Sequence, residues 1–125
     1  MLCDLCIRFC GLCGYEIMTN IIMSIDFYCY YKFDPAKFEN FRSLAKKITE
    51  LYIKNPGCKS YRFSIGIDPE RQNTAMESGQ FGDVDTFHKL KDHIETRNSE
   101  IFAALDAVIQ GGLKARKYEF FTSLE

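Results

Sequence analysis

Two histidines and one carboxylate are the residues of this chain whose chemistry best suits catalysis. His88 and His93 are the two histidines of the 125-residue sequence, and a neutral imidazole accepts a proton from a phenol near neutral pH. On a helix they are separated by about 140°, so they cannot easily share one metal ion. We expect one of them to face a pocket between helix and sheet. The alternative for each is a solvated or capping histidine.

Glu77 lies in a segment with a strand pattern, where carboxylates are uncommon. It could orient a histidine or hold a substrate hydroxyl. A salt bridge to Arg62, or to a lysine on the adjacent strand, is the slightly favoured alternative because opposite charges pair across strands. The candidate catalytic set is therefore His88, His93 and Glu77.

Aromatic side chains on the strand segments could form a flat apolar slot suited to a polycyclic or quinone-like ligand. Strand aromatics lie mostly in cores or dimer interfaces. We therefore expect about two of these six to touch a ligand, given how few groups such sites need. The candidates for substrate binding are Tyr28, Tyr30, Tyr61, Phe63, Phe81 and Tyr118.

The first 17 residues carry four cysteines, Cys3, Cys6, Cys10 and Cys13. Thiolates can bind zinc or an iron–sulfur cluster, but this spacing is not typical of either and further ligands are absent. We predict no metal, and we place residues 1–17 outside a domain that spans 18–125. Translation starting at Met18 or Met23 would explain such an extension.

Composition limits the function classes. Hydrophobic residues make up 46%, charged residues 26%, and the net charge is −1, as in one ordinary globular domain. Lys and Arg form no stripe, so nucleic acid is not an expected partner. No apolar run approaches the roughly 20 residues that span a bilayer, and no secretory signal is evident, so we expect a cytoplasmic protein without a membrane partner. Phosphate-binding loops and a Ser-His-Asp order are absent.

The first half of the domain shows a strand and then a helix. Residues 22–32 alternate between apolar and polar faces, which is a strand period. Asp34 is a suitable N-cap for an amphipathic helix over about 35–53. Phe33 and Phe38 are spaced as a hydrophobic staple at the start of this helix.

The second half contains the remaining strands and a two-part helix. Asp83 can cap the helix, a break is expected near Thr96–Ser99, and Gly111-Gly112 ends it. Val84, Phe87, Leu90 and Ile94 are spaced to line the inner face of its first part. Strands are predicted at about 58–67, 74–81 and 115–123.

This order predicts an α+β fold, the ferredoxin-like βαββαβ arrangement with a four-stranded antiparallel sheet. Right-handed crossovers put both helices on one side of the sheet. The other face still carries apolar and aromatic side chains, and a two-fold dimer would cover them.

Five stretches from Asn55 onward follow one known pattern: 55–61, the 68–70 turn, Glu77, 101–105 and Tyr118-Glu119. In these the chain resembles the antibiotic-biosynthesis-monooxygenase domain family. Across residues 20–124 the resemblance implies a dimeric α/β barrel. It also implies kinship with oxygenases that oxidise phenolic or quinol-type substrates with dioxygen and need no metal or flavin cofactor, and with other members that degrade heme.

The chain departs from the family pattern where a tryptophan follows the strand glutamate by two residues. Gly79 stands there, and the chain has no tryptophan, which argues against the heme-degrading branch. Two registers follow: one anchored on Glu77 places His88 at the family's helix histidine, and one anchored on Phe81 places Leu90 there, with His93 nearby.

The function that the sequence favours is a cofactor-independent monooxygenase acting on a small aromatic, phenolic or quinol-type substrate. The rivals are a non-catalytic module that binds a small hydrophobic ligand, and a purely structural dimer of the same fold.

Overall fold

The computed structural model describes residues 24–124. The predictions for residues 1–17, for the four-cysteine cluster and for the start at Met18 or Met23 lie outside this range. The elements are β1 (Ile25–Lys32), a 3₁₀ turn (Pro35–Lys37), α1 (Phe38–Ile53), β2 (Cys58–Ile65), β3 (Thr74–Phe81), α2 (Val84–Arg97), α3 (Ser99–Val108) and β4 (Lys117–Thr122).

The strands form one antiparallel sheet in the order β2-β3-β1-β4. The connections β1-α1-β2 and β3-α2-α3-β4 each step over one strand, so the arrangement is the predicted ferredoxin-like βαββαβ fold of the α+β class. A second 3₁₀ turn, Pro69–Arg71, lies in the β2–β3 connection. The central strands are β3 and β1, which carry the residues described below.

Asp34 forms the predicted cap, but on the 3₁₀ turn that leads into α1, and the α-helix itself begins at Phe38. The Asp34 carboxylate accepts a hydrogen bond from the Ala36 N–H at 3.0 Å. The rings of Phe33 and Phe38 lie 5.8 Å apart, which confirms the staple. The Asp34 hydrogen bond and the Phe33–Phe38 contact together orient the turn between β1 and α1.

The second helical segment is also set by a cap and a break. The Asp83 carboxylate accepts a hydrogen bond from the Thr86 N–H at 2.6 Å and begins α2. The helix is interrupted at Asn98, whose side-chain amide donates to the Ile94 carbonyl oxygen at 2.9 Å. This interruption lies within the predicted break and lets α3 pack separately against α1.

One face of the sheet, here called the inner face, packs against the helices. In β1 every second side chain is buried there: Ile25, Phe27, Cys29 and Tyr31. They meet Phe41, Leu44 and Ile48 of α1, Phe87 and Ile94 of α2, and Phe102 and Leu105 of α3 in one core.

The opposite face of the sheet, here called the outer face, has no helix against it within residues 24–124. It combines polar and aromatic side chains, including Tyr28, Tyr30, Arg62 and Met76, and Phe121 is 55% exposed. No helix of the described residues is both long and apolar enough to cross a membrane.

Candidate functional site

Glu77 lies at the centre of the inner face with only 4% of its surface exposed. The hydroxyl of Tyr31, on β1, donates to its Oε2 at 2.5 Å, and the hydroxyl of Tyr61, on β2, donates to its Oε1. Because β3 runs between β1 and β2, the carboxylate receives one phenol from each neighbouring strand. A buried carboxylate is thereby supplied with the hydrogen bonds it needs.

The electrostatics of this cluster follow from burial. Burial raises the pKa of Glu77 above its usual value, although the hydrogen bonds from both phenols and the field of Arg116 oppose that rise. Burial and the adjacent Glu77 charge raise the pKa values of Tyr31 and Tyr61 well above the usual value for a phenol. Both tyrosines therefore stay protonated and act as donors.

Gly79 explains how Tyr61 reaches Glu77. A Cβ at position 79 would lie 2.6 Å from the Ser60 carbonyl oxygen and 2.9 Å from Cδ2 of Tyr61. The Tyr61 ring thus occupies the space that a side chain at 79 would take. Its other face stacks on Tyr52 of α1, with ring centroids 4.1 Å apart and planes within 3°.

Cys29, Tyr118 and Arg116 lie on the side of Glu77 towards β4. Cys29 stands opposite both Glu77 and Tyr118 in the sheet register, and burial raises the pKa of its thiol. The hydroxyl of Tyr118 is buried, and no described residue offers it a hydrogen bond. Arg116 lies 5.6 Å from the Tyr118 ring centroid.

Arg116 is fixed by an ion pair with α2. Its guanidinium donates to the two carboxylate oxygens of Glu95 at 3.0 and 3.4 Å. Lys91, one turn before Glu95, lies 3.6 Å from the same carboxylate and 5.6 Å from the Tyr118 ring. Two cations and one anion therefore lie where α2 passes the beginning of β4.

Neither histidine joins this cluster. His88 and His93 are both exposed on α2, and the ring of His88 makes edge contacts with Phe87 at 5.4 Å and Phe120 at 5.7 Å. The inward stripe of the helix is centred on Phe87 and Ile94, which are buried. Each histidine is next to one of these residues and is therefore turned about 100° away from the stripe.

The pairing of Glu77 with Arg62 is wrong. Arg62 stands opposite Ser78 and points to the outer face, whereas Glu77 stands opposite Phe63 and points to the inner face. Successive side chains of a strand point to opposite faces of the sheet. Arg62 is opposite Ser78, the neighbour of Glu77, so the guanidinium of Arg62 and the carboxylate of Glu77 lie on opposite sides of the sheet.

The six aromatic candidates fall on two faces. Tyr28 and Tyr30 lie on the outer face, and Phe81 is fully buried in the core. Tyr61, Phe63 and Tyr118 lie on the inner face in the two rows that include Glu77 and Gly79. The structure thus separates Tyr28 and Tyr30 from the other four.

Sequence reasoning did not single out Tyr31, Tyr52 or Arg116. A signal for Tyr31 was present, because it shares the strand parity of Phe27 and Cys29 and must lie on the inner face. Tyr52 and Arg116 lacked a comparable signal, since their places depend on how α1 and the end of α2 cross the sheet. Within residues 24–124, no group of three or more His, Cys, Asp or Glu side chains is placed to hold a metal ion.

Comparison with known proteins finds likeness at the level of structure. No protein-family model matches the chain, and no curated sequence matches it. The fold matches SnoaB, a cofactor-independent oxygenase from Streptomyces nogalater, with TM-score 0.62 and 16% identity over 82% of this chain and 94% of that one.

Two proteins described as putative antibiotic biosynthesis monooxygenases have the same fold. One, from Bordetella bronchiseptica, matches with TM-score 0.65 and 12% identity over 82% of this chain and 99% of that one. The other, from Caulobacter crescentus, matches with TM-score 0.64 and 18% identity over 89% and 99%. The chain therefore has the fold of the antibiotic-biosynthesis-monooxygenase class, and the resemblance inferred from the sequence is confirmed for the fold.

Proposed function

We propose that this protein is a cofactor-independent oxygenase that acts on a small phenolic or quinol-type substrate with dioxygen. The observation that carries the proposal is the Glu77 carboxylate held between two phenol hydroxyls on the inner face. Its support is the fold that the chain shares with SnoaB, a cofactor-independent oxygenase.

The surroundings of Glu77 are suited to a phenolic substrate. The carboxylate already accepts hydrogen bonds from Tyr31 and Tyr61, so its geometry is that of a phenol acceptor. A substrate hydroxyl that displaces one of them would meet the same acceptor. Phe63 and Tyr118, which flank Glu77 in the same row of the sheet and are only partly buried, are the aromatic side chains that a planar substrate would meet first.

In this proposal Glu77 is the base. Burial raises its pKa above the usual value, which strengthens it as a proton acceptor. His88 and His93 stand exposed on α2, and the proposal assigns them no proton transfer. The buried Tyr118 hydroxyl, which has no partner among the described residues, is available to donate to a developing substrate oxyanion.

The chemistry balances without a cofactor. In a phenol whose keto tautomer has an activated CH₂ group, as an anthrone does, removal of one proton leaves a carbanion. The carbanion reduces dioxygen and combines with it, and return of the proton gives a hydroperoxide at that carbon. Loss of water from the peroxide leaves a carbonyl. The net reaction converts CH₂ and O₂ into C=O and H₂O, and the protein supplies a base, an anion partner and a site shielded from water.

Oxygen uptake with a panel of hydroquinones and anthrones tests the proposal. We expect a rate above the uncatalysed one, and a loss of about a hundredfold or more in Glu77→Gln, since general-base catalysis contributes about that much. Glu50→Gln, an exposed carboxylate of α1, is the matched control and should retain the wild-type rate. Uptake that never exceeds the uncatalysed rate would overturn the proposal.

A second candidate is a non-catalytic homodimer that either binds a small aromatic molecule or has a purely structural role. The observation in its favour is that Tyr31 and Tyr61 already satisfy Glu77 from within the chain, as a purely structural core would require. It predicts that the same hydroquinones and anthrones raise the melting temperature, or leave it unchanged, without any product. Detection of a product would exclude it.

A further inference from the structure

Two adjoining grooves lie on the outer face at the end of the sheet where β2 turns into β3. Their volumes are about 220 and 300 Å³. Both are lined by Tyr30, Arg71 and Thr74. The first also has Ile65 and Met76 in its wall, and the pair is here called the hairpin groove.

The charged residues that line the hairpin groove are all basic. Arg71 lines both parts, and Lys32 and Lys117 line the second. No aspartate or glutamate is among the described residues that line either part. The nearby Glu119 accepts a hydrogen bond from the Tyr30 hydroxyl at 3.2 Å, which places this carboxylate at the β4 side of the Tyr30 ring.

Arg71 is held at the groove by the backbone. It ends the 3₁₀ turn, and its N–H donates to the Asp68 carbonyl oxygen at 2.8 Å. A Cβ on Gly66 would lie 2.4 Å from the Cβ of Arg71, so the close approach of the two chain segments requires glycine at 66. The Gly66 N–H also donates to the Thr74 carbonyl oxygen at 2.9 Å.

Independently of these charges, the Thr74 hydroxyl lacks a hydrogen-bond partner among the described residues. Thr74 is 9% exposed and lines both parts of the groove, and its Oγ1 is buried. A buried hydroxyl without a partner is unfavourable by roughly 1–3 kcal/mol. A polar ligand group would remove that cost once rotation of the Thr74 side chain turns Oγ1 into the groove.

We propose that the hairpin groove binds a small planar organic anion, such as an aromatic carboxylate. The anionic group pairs with Arg71, and the ring lies against Tyr30 and Met76. The larger part, about 300 Å³, is at the small end of the range for ligand pockets and the smaller part, about 220 Å³, is below it, which suits one or two fused rings. This site is on the opposite side of the sheet from Glu77 and does not depend on the oxygenase proposal.

Calorimetric titration with naphthoate, and with the uncharged naphthamide as its isostere, tests this site. The full chain is used at a concentration where its oligomeric state has been measured. We expect naphthoate to bind more tightly than naphthamide. Arg71→Gln should weaken naphthoate binding at least about tenfold, because it removes a charge-assisted hydrogen bond. Met76→Asp, which puts a negative charge into the groove, should abolish it.

Lys46→Gln is the matched control, because Lys46 is an exposed cation on α1, and it should bind naphthoate like the wild type. Equal affinity for naphthoate and naphthamide would overturn the proposal. So would wild-type affinity in Arg71→Gln. A loss of naphthoate binding in Glu77→Gln but not in Arg71→Gln would place the ligand on the inner face and would also overturn it.

Discussion

At the residue scale, Glu77 shows how a strand carboxylate is accommodated in an aromatic core. Tyr31 and Tyr61 donate to its two oxygens from the flanking strands. Such an arrangement depends on exact strand register, because a shift by one residue turns every side chain to the other face. The cluster is therefore a sensitive indicator of correct β1–β3 and β2–β3 pairing.

The raised pKa of Glu77 makes stability depend on pH. Its folded pKa lies above the usual value of 4.5, so the folded state binds the proton more tightly than the unfolded state. Protonated Glu77 therefore contributes to the free energy of unfolding below about pH 4.5, and this contribution is lost as the pH rises through the folded pKa. We expect the free energy of unfolding of the wild type to fall over that window relative to Glu77→Gln.

Urea unfolding from pH 4 upward measures this difference for the two proteins. Because only the slope of the difference is used, a general loss of stability in Glu77→Gln does not affect the result. A wild type that gains stability relative to Glu77→Gln as the pH rises would contradict the assigned direction of the pKa shift.

Gly79 should tolerate no side chain. Gly79→Ala brings a Cβ within 2.6 Å of the Ser60 oxygen and displaces Tyr61, so we expect about 1–3 kcal/mol of lost stability, as for other overpacked sites. Gly82→Ala is the matched control, since no atom lies within 4 Å of a Cβ there. Chemical denaturation measures both, and equal stability of the two variants would refute the close approach.

At the element scale, the start of α2 depends on one side chain. The Asp83 carboxylate accepts the Thr86 N–H, and this bond keeps the pKa of Asp83 below its usual value. Asp83→Ala should reduce the free energy of unfolding by about 1 kcal/mol, the typical worth of an N-cap. Thermal or urea unfolding measures it.

Asp85→Ala provides the comparison for this prediction. Asp85 lies in the first turn of the same helix, and its ion pair with Lys89 at 3.1 Å is largely exposed. Exposed pairs of this spacing contribute about 0.3–0.5 kcal/mol. If Asp85→Ala costs as much as Asp83→Ala, the capping role is incorrect.

The element order, the strand faces and both helix caps could be predicted from the sequence because each depends on local spacing. The helix stripe through Phe87 and Ile94 was predicted too, and it already implied that His88 and His93 point elsewhere. Their expected place at a pocket came from the family resemblance instead. The partners of Glu77 could not be predicted, because they depend on the register between strands and on diagonal reach from positions opposite Ala75 and Gly79.

At the scale of the whole molecule, the outer face has the charge pattern of a self-complementary surface. Arg62, Ser78, Tyr28 and Glu119 form one row across the four strands, with opposite charges at its two ends. A two-fold axis parallel to the strands would set Arg62 of one copy against Glu119 of the other, twice. We expect a homodimer through this face, in which the same axis sets the hairpin grooves of the two copies opposite each other at one end of the sheets.

Charge reversal tests the pairing. Arg62→Glu sets like charges against each other and should weaken dimerisation at least about tenfold. Arg62→Glu combined with Glu119→Arg restores two opposite pairs and should recover much of it. Arg42→Glu, on the exposed side of α1, is the control. Sedimentation equilibrium measures each protein, and a wild type that stays monomeric would contradict the prediction.

The burial of Cys29 provides a built-in probe of conformational opening. Its side chain is 1% exposed at the centre of β1, and its raised pKa keeps it as an unreactive thiol. Alkylation at this position therefore requires separation of the helices from the sheet. Its rate, read by mass spectrometry of the Cys29 peptide, reports the opening free energy of the central strand without any introduced label.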